Sequence, residues 1–251
     1  MKKHIFIIDG DAPEAGTDTD VANYIDFFTS PIGGCWNRDE ITVYKGYTAE
    51  SIENLLCKAR ECRYDYCIVV FTGHGCLDRT GNNSLLSLGE NEDICESVLH
   101  RISDRQLTIL DNCRGKFEML GEDIVNASKA ASISYVNREV IRDVYEKRIE
   151  SSYKAQYILY ACQKGECAYG DDREGSDFSN GLLRSVNEGF DNACWYLTID
   201  EAYRRAKRYC SNTFGGQIPS FYHPKVQPNE TLIWAINYES IMALYNAIVC
   251  G

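Results

Sequence analysis

Cys67-Ile68-Val69-Val70-Phe71-Thr72-Gly73-His74-Gly75 and, with its cysteine 39 residues beyond the histidine, Leu107-Thr108-Ile109-Leu110-Asp111-Asn112-Cys113-Arg114-Gly115 decide the fold. Each opens as a short apolar run with β-branched residues, bounded by Gly or Asn, which is the pattern of a buried strand. The first run leads to a histidine and the second to a cysteine. In an open α/β sheet, sites are built at the C-terminal edge of the strands. A thiol is only a few per cent thiolate at neutral pH, and a neighbouring imidazole supplies the base or the counter-cation that activates it. The glycine after His74 and the turn at Cys113 let backbone N–H groups, those of Gly75 and Cys113, converge on a developing oxyanion. The bland alternative is a core histidine and a core cysteine. With twelve cysteines in the chain, that would be the default for any one of them. The pairing of two glycine-flanked turns at one sheet edge argues instead for a nucleophile and its base.

Working outward, the chain keeps a β-α-β-α-β rhythm. Met1 to Asp9 is a charged start followed by a four-residue apolar run, too short for a signal peptide and suited to a first strand. Asp11 to Gly16 is a loop by its Pro and Gly content, and Thr17-Asp18 can cap a helix carrying Val21, Ala22, Tyr24, Ile25 and Phe28. Glu40 to Tyr44 is a second strand. Thr48 and Ser51 can cap a helix with Ile52, Leu55, Leu56 and Ala59 as its stripe. The rhythm predicts a parallel sheet with right-handed crossovers. Beyond His74, residues 85–88 and the following turn suggest a small hairpin, and Ile94 to Ile102 suggests a helix. Gln156 to Cys162 reads as a strand, Phe178 to Val186 and Thr198 to Tyr209 as helices, Thr231 to Ile236 as a last strand, and Tyr238 to Val249 as a terminal helix.

The chain of 251 residues is 44% hydrophobic and carries a net charge of −11. Its length suits one α/β domain or two small ones, and the reading is of a single domain. It has no apolar run of 18 residues, so no membrane span is expected, and its acidity argues against nucleic acid and in favour of basic partners. The cysteines fit reduced thiols of a cytoplasmic protein. Cys57, Cys62 and Cys67 recur every five residues without a C-x-x-C pair, so no zinc site is expected. Asp171-Asp172-Arg173-Glu174 reads as a solvated loop rather than a cation site. No metal and no cofactor is expected.

Several stretches resemble the caspases and metacaspases. Asp111-Asn112-Cys113-Arg114-Gly115 is similar to the caspase Gln-Ala-Cys-Arg-Gly and to the metacaspase Asp-Ser-Cys-His-Ser-Gly. Thr72-Gly73-His74-Gly75 is similar to their Ser-Gly-His-Gly. Gly16-Thr17-Asp18-Thr19-Asp20-Val21-Ala22-Asn23 is close to the caspase Gly-Thr-Asp-x-Asp-Ala-Ala-Asn. Glu174-Gly175-Ser176-Asp177-Phe178 mirrors Asp-Gly-Ser-x-Phe, and Gln217-Ile218-Pro219 matches the late Gln-x-Pro turn. The spacing of His and Cys is shorter than the roughly 50 residues of caspases.

The resemblance, over about residues 4 to 236, implies a three-layer α/β sandwich with a mostly parallel central sheet of about six strands flanked by helices. It implies a Cys113–His74 dyad in which Cys113 attacks the scissile carbonyl, His74 protonates the leaving amine, and the Gly75 and Cys113 N–H groups form the oxyanion hole. It divides the chain into a large-subunit-like part (1–115), a linker-like segment (116–155) and a small-subunit-like part (156–251). Caspases hold a substrate Asp with three residues. Carried over, these positions fall on Glu14, on Asp111 and near Gly170. The cations are gone and two carboxylates stand in their place. Thr72 and Asp20 occupy two further positions that line the pocket in metacaspases, which cut after Arg or Lys. The expected partners are therefore protein or peptide substrates with Arg, then Lys, at the cut site. An upstream activator or a homo-oligomer stays open, and a role in cell-death-like or defence signalling follows by analogy alone. The rival reading is a catalytically silent scaffold or ligand-binding module. A thiol oxidoreductase would want a resolving C-x-x-C, which the chain lacks.

Overall fold

The computed structural model describes residues 1–12, 16–89, 92–115, 137–190, 195–213 and 215–249. Five strands run parallel: β1 (Lys3–Asp9), β2 (Ile41–Lys45), β3 (Tyr66–Thr72), β4 (Gln106–Asp111) and β5 (Gln156–Tyr160). A sixth, β6 (Ser220–Tyr222), pairs antiparallel with β5 at one edge, giving the order β6-β5-β4-β3-β1-β2. The chain steps outward from β1 to β2, then crosses back to β3 on the other side of β1. The strand order reverses between β1 and β3, and a crevice opens at the carboxyl ends of such strands.

The reversal puts successive helices on opposite faces. Ile5 and Ile7 of β1, Ile68 and Val70 of β3, and Leu107 and Ile109 of β4 point to one face, where helices α1 (Thr17–Thr29) and α3 (Arg138–Glu150) bury Tyr24, Phe28, Ile141, Tyr145 and Ile149 against them. Phe6, Ile8, Val69, Phe71 and Leu110 point to the other face, where α2 (Ala49–Glu61) lays down Ile52, Leu56 and Ala59. Every residue of β3 and β4 is buried, the polar Gln106, Thr108 and Asp111 included, as in strands covered on both sides. Helices α4 (Asp177–Arg184) and α5 (Ile199–Ser211) complete the first face, and α6 (Tyr238–Val249) follows at the end of the described chain. The expected three-layer arrangement with a mostly parallel six-stranded sheet is what forms.

Local chemistry sets the helix starts. Thr48, Asn137, Ser176 and Thr198 each accept a hydrogen bond from the N–H three residues on, satisfying one of the orphan donors of a first turn. Helix α1 is the exception. The expected Thr17-Asp18 cap is absent, and Gly16 at φ 74° leads into the helix with no side-chain cap. A Cβ on Gly16 would stand 2.0 Å from the carbonyl oxygen of Asp171, so close backbone approach decides this position.

The helix expected beyond His74 fails for a physical reason. The helix read over Ile94–Ile102 is instead a strand, Asp93–Cys95, and a single 3₁₀ turn, Glu96–Leu99. Ile94 pairs with Leu86 in a small antiparallel sheet of Gly75–Leu77, Ser84–Ser87 and Asp93–Cys95. Arg60 of α2 donates to the carbonyls of Val98 and His100, taking up acceptors that a longer helix would use. The strand read over Thr231–Ile236 forms as Ile233–Ile236, but it pairs with Tyr196–Thr198 in a separate ribbon. The sixth strand of the main sheet is β6, whose three residues are too few to show a period. Of the linker-like segment, 116–136 lies outside the described residues and 138–150 is α3. Among the described residues no helix is long and apolar enough to cross a membrane. The described cysteines are all free.

Candidate active site

Thr72 ends β3 and is the register partner of Asp111, which ends β4. His74 and Cys113 each lie two residues past this matched pair, on adjacent parallel strands, and strands in a sheet are about 4.8 Å apart. Gly73 bridges the two, its N–H donating to the Asp111 carbonyl at 3.1 Å. It sits at φ 150° with Gly10 packed against it. His74 is exposed and Cys113 half-buried.

The Cys113 sulfur is held by one stretch of chain. Ala168 N–H donates to Sγ at 3.3 Å, and the thiol faces the Ala168 carbonyl at 3.4 Å. Burial, and after it the neighbouring Cys167, push the thiol up to about 11, against the opposing pull of the Ala168 N–H. In this resting arrangement Cys113 is a protonated thiol.

The ladder phase shows where Gly75 points. Ser87 N–H donates to the His74 carbonyl, so Gly75 and Leu86 form a non-hydrogen-bonded pair and the Gly75 N–H faces away from that partner strand. Leu77, two residues on and thus pointing the same way, donates to the Gly115 carbonyl at 3.4 Å. The outer edge of this strand therefore faces residues 113–115. Among the described residues no hydrogen-bond acceptor takes the Cys113 N–H. A Cβ on Gly75 would lie 2.5 Å from the Asn112 amide nitrogen, so only glycine fits. Asn112 Nδ2 in turn donates to the Cys113 carbonyl at 2.7 Å.

Beside the cysteine lie two buried carboxylates. Asp20 is fully buried on α1, and its Oδ2 accepts from Thr72 Oγ1 at 2.8 Å. Its Oδ1 accepts from the Ser176 N–H at 3.0 Å. Asp111 is 3% exposed, and its Oδ2 accepts from the hydroxyls of Ser176 and Ser179, the latter at 2.5 Å. Ser179 spends its proton there, so Tyr24 donates to it at 2.9 Å. Burial is the leading cause that holds both carboxyls up, Asp111 to about 6 and Asp20 well above the ordinary range, with Asp111 adding to the repulsion on Asp20. Among the described residues no Lys or Arg pairs with either. The neighbouring Asp9 differs, since Lys45 reaches it at 3.3 Å.

The structure thus brings Asp20, Thr72, Asp111 and Cys113 to one edge, with His74 and Gly75 on the adjoining turn. Glu14 lies outside the described residues. Gly170 starts a short hairpin, Gly170–Asp171 with Gly175–Ser176, and places no charge at the carboxylates. Sequence reasoning missed Ser176, Ser179 and Tyr24. The sole signal for the serines was a Ser-x-x-Ser helix start, which speaks of a cap and not of a pocket.

A family model of the caspase domain matches residues 4–229. No curated protein matches the chain. Among solved structures it is similar to the crystal structure of caspase-1 from Spodoptera frugiperda, with a TM-score of 0.58 at 13% identity over 88% of this chain and 86% of that one. At that identity the likeness concerns the fold.

Proposed function

The chain belongs to the caspase domain family, whose members are cysteine peptidases, and from that premise we propose that it is an endopeptidase cutting after Arg and, more slowly, after Lys. Cys113 is the nucleophile and His74 the general acid and base. The Gly75 and Cys113 N–H groups receive the oxyanion, and Asp111, Asp20 and Thr72 form the specificity pocket, with Glu14 assigned to it by resemblance alone. His74 takes the Cys113 thiol proton as the sulfur adds to the scissile carbonyl, and the oxyanion is met by the two N–H groups free of partners among the described residues. His74 delivers a proton to the departing amine, leaving a thioester that water hydrolyses.

One observation carries the specificity: two buried carboxylates beside the nucleophile with no protein cation among the described residues. Buried charges ordinarily have partners. A guanidinium entering this pocket replaces serine hydroxyls with N–H donors and neutralises the pair, and a planar fork suits a carboxylate better than an ammonium does. An Asp side chain would add a third carboxyl where two already repel. Matched fluorogenic peptides differing only in Arg, Lys or Asp before the scissile bond test this. The expected order is Arg, then Lys, with essentially no cleavage after Asp, and equal rates for all three would refute it.

A second reading is favoured by the raised Cys113 thiol, packed against Ala168. A silent, ligand-binding scaffold has no need of a thiolate. An electrophilic Arg peptide separates the two, since selective modification of Cys113 among the twelve thiols belongs to a peptidase alone.

A further inference from the structure

Behind the nucleophile, on the far side of Arg114, a second site is built at the β5–β6 edge. Arg114 follows Cys113 and is 3% exposed. Its guanidinium stacks on the Tyr160 ring at 3.9 Å. Among the described residues no carboxylate pairs with it, and its buried Nε has no hydrogen-bond partner. A buried cation without a counter-ion is costly, and its surroundings show what would relieve it. Arg114 lines a shallow, open cavity of about 580 Å³ together with Tyr160, Gln163, Lys164, Ser220 and Tyr222. That volume lies within the range of small-molecule sites.

Among the described residues the lining holds two cations and no acid, in a chain of net charge −11, while the carboxylates of Glu96 and Glu166 beside it accept from the Tyr160 hydroxyl and the Gln163 N–H, each at 3.3 Å. Among the described residues Lys164 has no carboxylate partner either. Its Nζ donates to the carbonyls of Gly81 and Asn82 at 3.1 and 3.0 Å, which fixes the ammonium at the rim without neutralising it. Ser220 and Gln163 add neutral hydrogen-bonding groups. Tyr222, 65% exposed, offers an uncovered ring at the mouth. A fork, an ammonium and a hydroxyl suit phosphate oxygens, and an open aromatic ring suits a flat heterocycle.

We propose that this cavity binds a small organic phosphate of the nucleoside monophosphate class, with its phosphate on Arg114 and Lys164 and its base on Tyr222. The site lies apart from the carboxylate pocket but shares its backbone with the nucleophile. Arg114 N–H donates to the Glu166 carbonyl at 2.9 Å, and the Arg114 carbonyl accepts from Gly165 N–H at 2.8 Å. The same turn continues to Ala168, whose N–H and carbonyl hold the Cys113 sulfur.

Isothermal titration of the full chain with AMP, adenosine and inorganic phosphate tests the proposal without reference to catalysis. AMP is expected to saturate one site, with adenosine and inorganic phosphate each at least about tenfold weaker, since each keeps only half of the contacts. Lys164→Ala and Tyr222→Ala lie on the surface and should each raise the AMP dissociation constant about tenfold. Arg114→Leu should abolish binding, but the surface variants carry the test should that one fail to fold. No saturable binding of AMP up to about 10 mM, an affinity unchanged in either surface variant, or inorganic phosphate binding as tightly as AMP would overturn it.

Discussion

Asp111 concentrates the chemistry of the proposed pocket in one side chain. Burial holds its carboxyl at about 6, against 3.8 in its ordinary state. A carboxyl raised on folding binds protons that the unfolded chain releases. Its stabilising contribution is therefore complete below about 3.8 and is lost as pH rises through about 6. Asp20 shifts in the same direction. The free protein should show its melting temperature falling between pH 4 and 7, and an Arg-bearing inhibitor should flatten that fall, because a guanidinium favours the ionised pair. The rate on Arg peptides, as kcat/KM, should rise across the same window as Asp111 ionises, while peptides with a neutral residue there stay level by comparison. Asp111→Asn should cost about a hundredfold in kcat/KM for Arg substrates, the size of a charge-assisted hydrogen bond, and far less for neutral ones. Cys113 titrates differently. With its thiol pushed up to about 11, alkylation by iodoacetamide in the free protein should keep climbing through pH 9, and a plateau near pH 7 would show an ion pair with His74 already formed. In the sequence, His74 and Cys113 stood out as a pair at two glycine-flanked strand ends, whereas Asp111 and Asp20 could be read only through the resemblance. The resting protonation of Cys113 was not legible, because it depends on Cys167 and Ala168, which a distant loop delivers.

At the scale of elements, the proposed pocket is a junction of α1, the ends of β3 and β4, and the start of α4. Ser176 joins them: its hydroxyl caps α4, accepting from Ser179 N–H, and donates to Asp111, while its N–H donates to Asp20. No periodicity in the sequence announces this, since Ser176 and Asp111 are 65 residues apart and meet through tertiary packing. The helices and the five parallel strands were legible from period and length, whereas β6 was too short and the Ile94–Ile102 stretch had its apolar residues claimed by a sheet. Gly175 shows what the junction demands. It sits at φ 80°, and a Cβ there would stand 2.3 Å from Asp20 Oδ1. Gly46 has a similar φ of 69° with nothing within 4 Å. Gly46→Ala should therefore cost only the left-handed backbone penalty, about 1 kcal/mol. Gly175→Ala should lower the melting temperature much further and erase the preference for Arg, because Asp20 has to move. Equal thermal shifts for the two variants would mean that the Gly175–Asp20 contact does not constrain the pocket.

For the whole molecule, the open question is whether the chain must be cut to work, as the resemblance to two-subunit caspases suggests for the segment between Cys113 and β5. An enzyme that cuts after Arg and Lys would find Arg138, Arg142, Lys147 and Arg148 there. The structure removes these from reach. Arg142 pairs with Glu40 through both nitrogens, at 2.7 and 2.8 Å. Arg138 donates to the carbonyls of Thr29, Cys35 and Trp36, and Arg148 donates to that of Thr231 at 2.8 Å. Lys147 is exposed but lies in the last turns of α3, and a peptidase needs an extended strand. Unwinding α3 would expose Ile141, Tyr145 and Ile149, all fully buried, at a cost of roughly 5 kcal/mol or more. That outlay would have to be met before each cut, so folded chains should not be nicked between 138 and 150. The basic residues left in the segment are Arg114, buried next to Cys113, Lys116 and Lys129, outside the described residues, and Lys154, two residues before β5. We therefore expect any self-processing to release new N-termini at Phe117 or Ala130. N-terminal sequencing of fragments from purified protein, with Cys113→Ala as the uncut control, decides it. Fragments beginning at Glu139, Asp143, Arg148 or Ile149 would show that α3 opens readily and that its buried face does not hold the two halves together.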